Sequence, residues 1–153
     1  MEDKIVELAT KFRKAIERAK AEGEFDSDFI FSQFPRRCCG DATDLLGEFL
    51  LEYGIESYYV CGSRYFEDIE EEPQSHAWLD VDGLIVDITG DQFSDRVSYY
   101  NYDKKVYVGT GDDFHDLFEV EERDVHIFPG LKGYSGSCMP RVFELYRKIK
   151  KYI

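Results

Sequence analysis

Apolar positions recur along this chain with two different periods, and the change from one to the other marks its elements. Ile5, Leu8, Ala9, Phe12, Ala15, Ile16 and Ala19 return every three or four residues, which predicts a first helix of about twenty residues ending near Gly23. From Glu24 to Pro35, Phe25, Phe29, Phe31 and Phe34 alternate with acidic residues in no clear period. Pro35 disfavours helix at Phe34, so this stretch reads as irregular chain anchored by its rings. A second helix is expected to begin close to Cys39 or Asp41, to carry Ala42, Leu45, Leu46, Phe49 and Leu50 on one face, and to close at Gly54 in a left-handed stop.

The period then drops to two. Ser57 to Cys61 reads as a strand ending at Gly62. Two β-type runs between Ser75 and Thr89 meet at Asp82-Gly83, a strong hairpin signal whose two-residue loop pairs Val81 with Leu84, Leu79 with Val86 and Trp78 with Asp87. Gly90-Asp91-Gln92-Phe93 leads into a stretch rich in tyrosine (Tyr99, Tyr100, Tyr102). Val106 to Val108 predicts a short strand stopped by Gly109-Thr110-Gly111, which is a turn because no Gly-Lys-Ser/Thr follows it. Leu117 to Val120 predicts one more strand, and Phe128 to Cys138 a glycine-rich loop. Pro140 suits the first turn of a last helix in which Val142, Leu145, Tyr146, Ile149 and Ile153 form a stripe. Its closing Lys148, Lys150 and Lys151 complement the helix dipole.

Composition narrows the classes. With 153 residues, 43% of them hydrophobic and spread along the chain, the expectation is one packed domain over 1–153. A net charge of −13 works against binding phosphate backbones or anionic membranes, so neither nucleic acid nor a membrane is an expected partner. The basic residues of the terminal helices and Arg36-Arg37 read as solvated faces, and the acidic run Glu67 to Glu72 as a solvated loop that could border a site. The N-terminus opens into an amphipathic pattern without a signal peptide, and no membrane-length apolar run occurs. Cys38, Cys39, Cys61 and Cys138 have neither metal-site spacing nor disulfide density, so reduced thiols in a cytoplasmic protein are expected, with no metal and no cofactor.

The candidate chemistry begins at the hairpin. Its register puts His76 and Asp87 on one face as diagonal neighbours, with Cβ atoms about 7–8 Å apart or less, so that imidazole and carboxylate can meet. An oriented base needs a nucleophile, and Cys38-Cys39 stand at the start of a helix, where unpaired amides and the macrodipole lower a thiol's pKa. The competing account is that both cysteines are small buried hydrophobes. Trp78 shares the face of His76 and Asp87 and either shields the pair from water or contacts substrate. Asp91 and Gln92 could line the site, with Asp91 a substitute orienter for Asp87, or simply form a turn. Asp41 and Asp44 read as first-turn carboxylates that favour the dipole, and His115 and His126 as structural residues without ligand spacing.

Cys39-Gly40-Asp41-Ala42-Thr43 through Gly54-Ile55, then His76-Ala77-Trp78, then Val86-Asp87-Ile88-Thr89 resemble the transglutaminase-like superfamily of papain-fold thiol enzymes. The matching stretch runs from about residue 36 to 93, roughly a third of the chain, with Cys, His and Asp in the family's order. Ile88 stands where the family usually has proline. The resemblance implies an α+β, papain-like fold in which the helix bearing the cysteine packs on an antiparallel sheet between terminal helices. It further implies a triad of Cys39, His76 and Asp87 acting on an amide or ester carbonyl through an acyl-enzyme, as a peptidase, deamidase or acyl transferase, with a peptide, a protein or a small amide or ester as substrate. Cys39 is preferred because its distance to Gly54 resembles the family's helix spacing, and Cys38 is the fallback. The backbone N–H of Cys39 would face the oxyanion. Gln33 resembles in spacing the oxyanion glutamine of papain-like proteases, although a surface glutamine is the simpler account. Two alternatives stay open: a catalytically idle interaction module on the same scaffold, and a vicinal-thiol redox sensor using Cys38-Cys39.

Overall fold

The computed structural model describes residues 1–64, 74–94, 102–134, 136 and 139–153. Among these, three helices and a five-stranded antiparallel sheet give an α+β architecture. The order along the chain is α1 (Glu2–Ala21), α2 (Cys39–Glu52), β1 (Tyr58–Arg64), β2 (Gln74–Val81), β3 (Leu84–Asp87), β4 (Tyr107–Gly109), β5 (Val125–Ile127) and α3 (Met139–Lys150). The sheet order is β4-β3-β2-β1-β5, which sets β2 at the centre. Among the described residues no helix is long and apolar enough to cross a membrane.

The helices follow the periodicity. All seven apolar positions predicted for α1 are buried, as are Ala42, Leu45, Leu46, Phe49 and Leu50 of α2 and Val142, Leu145 and Ile149 of α3, while Ile153 lies exposed beyond its helix. Phe12 of α1 stacks on Phe49 of α2 at 5.0 Å. Gly54 adopts φ +74°, and Gly54 N and Ile55 N donate to Leu51 and Leu50 carbonyls, the paired bonds of a left-handed helix stop. In the irregular stretch before α2, Phe25, Phe31 and Phe34 are anchored as expected, but Phe29 is 80% exposed. With no period to commit them to one face, each ring goes where the local turn sends it.

The β2–β3 hairpin has the expected register, Val81 opposite Leu84 and Leu79 opposite Val86. Asp82 and Gly83 both take positive φ, 51° and 86°, the requirement of the two-residue turn that matches strand twist. Three strand expectations change. β1 runs on to Arg64 through Gly62, because Gly62 is a site of close approach: a Cβ there would lie 2.7 Å from Phe118 Cβ. Leu117 to Val120 is not a strand. A 3-10 turn over His115–Leu117 sends Phe118 inward, and only Glu119 bridges to Ser63. Conversely β5 gave no alternation to read, since all three of its residues are exposed. The loop from Phe128 contains a 3-10 turn at Leu131–Gly133, whose Leu131 is buried. The acidic run 67–72, Tyr99, Tyr100 and Cys138 lie outside the described residues.

Two apolar clusters meet β2 from opposite sides. Leu79 and Val81, with Val86 of β3, join the large cluster under the helices. Trp78 points the other way, as strand alternation requires, into a small cluster with Val60, Phe93, Phe114 and Phe118. His76 has the parity of Trp78, and its ring lies 5.2 to 5.7 Å from those of Phe93, Phe118, Trp78 and Phe114.

Candidate active site

The cleft that opens on Cys39 has a volume of about 590 Å³ and is bordered by Gln33, Arg36, Arg37, Ser75 and Gln92 among others. Cys39 is the first residue of α2 and partly exposed. The amides of this first turn have no intrahelical acceptor, since the first helical bond runs from Ala42 N to Cys38 O. The Cys39 thiol is hydrogen-bonded by the His76 side chain and by the Ala77 amide. Burial acts to raise its pKa, but the hydrogen bond and charge of His76 outweigh it and the net shift is downward.

Behind the thiol, His76 is fully buried. Its Nε2 lies 2.7 Å from Asp87 Oδ2, which leaves Nδ1 for Cys39, and Gln92 Nε2 is 3.2 Å from Nδ1. Desolvation disfavours the imidazolium, yet the Asp87 charge and hydrogen bond overcome it and the pKa of His76 is raised. For Asp87, burial pushes upward, and the two imidazoles that face it push further downward, so the carboxyl is held well below the ordinary carboxylate range. The three shifts agree in direction, each favouring the charged form of its group, while the Gln92 amide, which can only donate, meets Nδ1 when the ring is neutral.

Cys38 is not part of this row. Its Sγ points into the large cluster, 3.1 Å from Arg36 O and 3.4 Å from Ile30 O, and burial pushes its thiol up to about 12. Adjacent residues at a helix start point about 100° apart, so only one of the pair can face the sheet pair. Gln33 borders the same cleft as Cys39 while one amide hydrogen is given to Phe29 O at 2.9 Å. Trp78 is 5% exposed, which fits shielding of the His76–Asp87 pair rather than substrate contact.

Asp91 does not orient the base. Arg13 of α1, itself 4% exposed, donates to both Asp91 oxygens at 2.7 Å and to Ile88 O at 2.6 Å. Arg13 thus departs from a solvated helix face and ties down the segment between Asp87 and Gln92. Asp41 accepts from Arg141 Nη2 at 2.8 Å. Asp44, raised to about 6 by burial, accepts from Tyr134 at 3.1 Å. His126 bonds the Tyr134 hydroxyl and stacks on Tyr59.

The residue that sequence reasoning undervalued is His115. Its Nε2 lies 2.7 Å from Asp87 Oδ2, the oxygen that also meets His76, and its Nδ1 lies 2.6 Å from Asp112 Oδ1. No spacing announces it, because the 3-10 turn that carries it in from 28 residues beyond Asp87 has no period. The only local hint is Asp112-x-x-His115, in which the carboxylate caps the turn by accepting from His115 N at 2.8 Å. His76, Asp87 and His115 could also offer a metal three ligand atoms within 4.8 Å of one another. Both imidazole–carboxylate contacts are of hydrogen-bond length, so a cation there would have to displace the protons that lie between these atoms.

Comparison with protein families, with curated proteins and with solved structures returns no match for this chain.

Proposed function

We propose that the chain is a thiol-dependent enzyme acting on an amide or ester carbonyl, of the transglutaminase-like, papain-fold kind. The observation that carries this reading is the row Cys39, His76, Asp87, in which a partly exposed thiol at a helix start meets a buried imidazole whose far nitrogen is 2.7 Å from a carboxylate. Nucleophile, base and orienter are the parts acyl transfer needs, and here they come from α2, β2 and β3, with imidazole and carboxylate at hydrogen-bond distance.

In the reaction, Cys39 Sγ adds to the carbonyl carbon and the carbonyl electrons move to oxygen, facing the unpaired amides at the start of α2. The tetrahedral species collapses as His76 Nδ1 gives its proton to the departing amine or alcohol, leaving the acyl group on sulfur. An incoming O–H or N–H then loses its proton to His76 as it displaces the thiolate. Asp87 holds the ring with Nδ1 towards Cys39 and stabilises its charge. Trp78 and the phenyl rings exclude water from the Asp87 side, where it would weaken that interaction.

The test is the rate of iodoacetamide labelling against pH, mapped to Cys39 by peptide mass, in the wild type and in His76→Ala. The proposal expects Cys39 to react at least about tenfold faster than a small free thiol at pH 6 and to lose that advantage in His76→Ala. Rates equal to the free thiol, or an advantage that survives His76→Ala, overturn it. An acyl adduct on Cys39, seen by intact mass after incubation with activated esters and glutamine-containing proteins, extends the result from reactivity to chemistry. The idle-module alternative expects neither outcome, and the buried, carbonyl-bonded Cys38 gives a vicinal redox pair no support.

A further inference from the structure

Asp87 Oδ2 has two imidazole partners, while a triad needs one. Three donors surround this carboxylate: His76 Nε2 and His115 Nε2 at 2.7 Å each on Oδ2, and Thr89 N at 2.9 Å on Oδ1. Behind His115, Asp112 Oδ1 takes Nδ1 at 2.6 Å and His115 N at 2.8 Å, and Tyr102 donates to Asp112 Oδ2 at 2.9 Å. Both ring nitrogens of His115 thus face carboxylates. Running inward from the cleft, thiol, imidazole, carboxylate, imidazole and carboxylate alternate in the order Cys39, His76, Asp87, His115 and Asp112. Such an alternating row leaves no buried charge without an opposite neighbour, which is what lets it exist among phenyl rings.

We infer that His115, held by Asp112, is a positioning residue that sets the acidity of His76 by sharing Asp87 with it. This rests on the reading of Cys39, His76 and Asp87 as a triad. The physical argument has two parts. A carboxylate oxygen that accepts a second strong hydrogen bond gives less of its charge to the first, so His76 holds its proton less tightly. Thr89 N holds Oδ1, so Oδ2 is the oxygen that the two rings must share, and what one ring takes the other loses. A less tightly held proton suits a general acid that must protonate a leaving group near neutral pH. His115 also fixes which way Oδ2 points, because Thr89 N pins the other oxygen.

The groups facing His76 are Cys39 from α2, Asp87 from β3, Gln92 from the turn after β3, and the rings of Trp78, Phe93, Phe114, Phe118 and His115. Among the described residues Asp87 is the carboxylate that His76 and His115 share, so removal of His115 has one direction of effect. His76 must hold its proton more tightly.

The experiment follows the His76 ring by NMR titration in the wild type, His115→Phe, His115→Gln and Asp112→Asn, together with the alkaline limb of Cys39 labelling. His115→Phe is expected to lower the proton-dissociation constant of His76 about tenfold, with the labelling limb moving to higher pH by the same factor. His115→Gln, which keeps an N–H donor, is expected to recover part of that shift. Asp112→Asn weakens the hold on Nδ1 while leaving Nε2 beside Asp87 and is expected to give a smaller shift of the same sign. A His76 titration unmoved, or moved to lower pH, in the folded variants overturns the inference. If His115→Phe fails to fold, the Gln and Asn variants decide alone. Because the NMR signal does not depend on catalysis, a wild-type Cys39 that behaves as a free thiol defeats the functional reading separately.

Discussion

On the helix side of β2 the sheet meets α1, α2 and α3 through aliphatic chains and phenyl rings, whereas on the other side four aromatic residues surround two histidines and an aspartate. The large cluster draws on elements with strong periodicity, and each residue in it is replaceable in principle by another of similar volume. The small cluster is different. Its rings come mostly from turns, at Phe93, Phe114 and Phe118, and what they enclose is charged. Apolar walls around a charge are costly unless the charge is paired, and they strengthen the pairing that is made. The first cluster holds the protein folded, and the second raises the energetic stakes of a few hydrogen bonds.

The largest effect that separates the two sides is at the neighbouring cysteines, one of which belongs to each. Cys39→Ala should abolish the acyl adduct and lower any turnover by about 10³-fold or more, while Cys38→Ala should leave the adduct in place. Intact mass after incubation with an activated ester reads both. An adduct that follows Cys38 would mean that the helix start is turned relative to the sheet.

Next in size are two substitutions of similar cost to stability and opposite cost to chemistry. Phe12→Ala in the large cluster should destabilise by about 3–5 kcal/mol through the cavity it leaves, with the labelling advantage of Cys39 intact in the folded protein. Asp87→Ala should also cost about 3–5 kcal/mol, since it strands two buried imidazoles, but should remove the labelling advantage as well. Urea unfolding beside the labelling rate tests the pair. Equal loss of reactivity in both variants would erase the distinction between the clusters.

This division also explains what could be read from the chain beforehand. The helices, the hairpin register and the meeting of His76 with Asp87 follow from short-range rules, because a period of 3.6 or 2 and a two-residue turn fix which side chains share a face. The helix start narrows the thiol to Cys38 or Cys39, and which of the two turns towards His76 depends on contacts outside the helix. Phe118, Arg13 and His115 do not follow. Phe118 sits in a run with strand propensity but is turned inward where Gly62 leaves space, so tertiary packing overrides local preference. Arg13 occupies a helix position that could equally have been solvated, and its burial depends on Asp91, 78 residues away. His115 reaches Asp87 through a turn without period. The charged second side of the site is therefore the least legible part of the molecule, since its contacts are long-range and its rings stand on irregular chain.

The pH dependence of stability offers a smaller and more specific test. His76 has a folded pKa above its unfolded value near 6.5, so its contribution is complete below about pH 6.5 and is lost as pH rises through the folded value. The pKa of Cys39 is lowered, so its contribution has the opposite sign and grows as pH rises towards the unfolded thiol value near 8.5. Between the two unfolded values the contributions therefore oppose each other, that of His76 falling as that of Cys39 grows. Wild-type stability should vary less with pH in that range than either group alone would make it. Cys39→Ala removes the compensation, and stability should then fall by up to about 1.4 kcal/mol per pH unit above pH 6.5. Asp87 acts elsewhere: its depressed pKa contributes stability present above about pH 4 and lost as pH falls through the folded value. Urea midpoints from pH 5 to 9 check this, and equal slopes in wild type and Cys39→Ala would mean that no internal ion pair forms.

The smallest effect lies at two glycines, and it probes whether the rings of the second cluster tune the site or merely cover it. A Cβ at Gly62 would sit 2.7 Å from Phe118 Cβ and 3.2 Å from Trp78, so Gly62→Ala must push at least one of these rings aside. Overpacking of this kind costs about 1–3 kcal/mol. Gly54→Ala is the control: its Cβ meets nothing within 4 Å, and its φ of +74° confines the cost to backbone strain of about 1 kcal/mol. Phe118 and Trp78 both lie against His76, so displacing them admits water or shifts the imidazole, and the Cys39 labelling rate should change in Gly62→Ala but not in Gly54→Ala. If both variants lose stability and neither changes the rate, the aromatic wall acts as a cover alone, and the tuning of His76 rests entirely on Asp87 and the residues bonded to it.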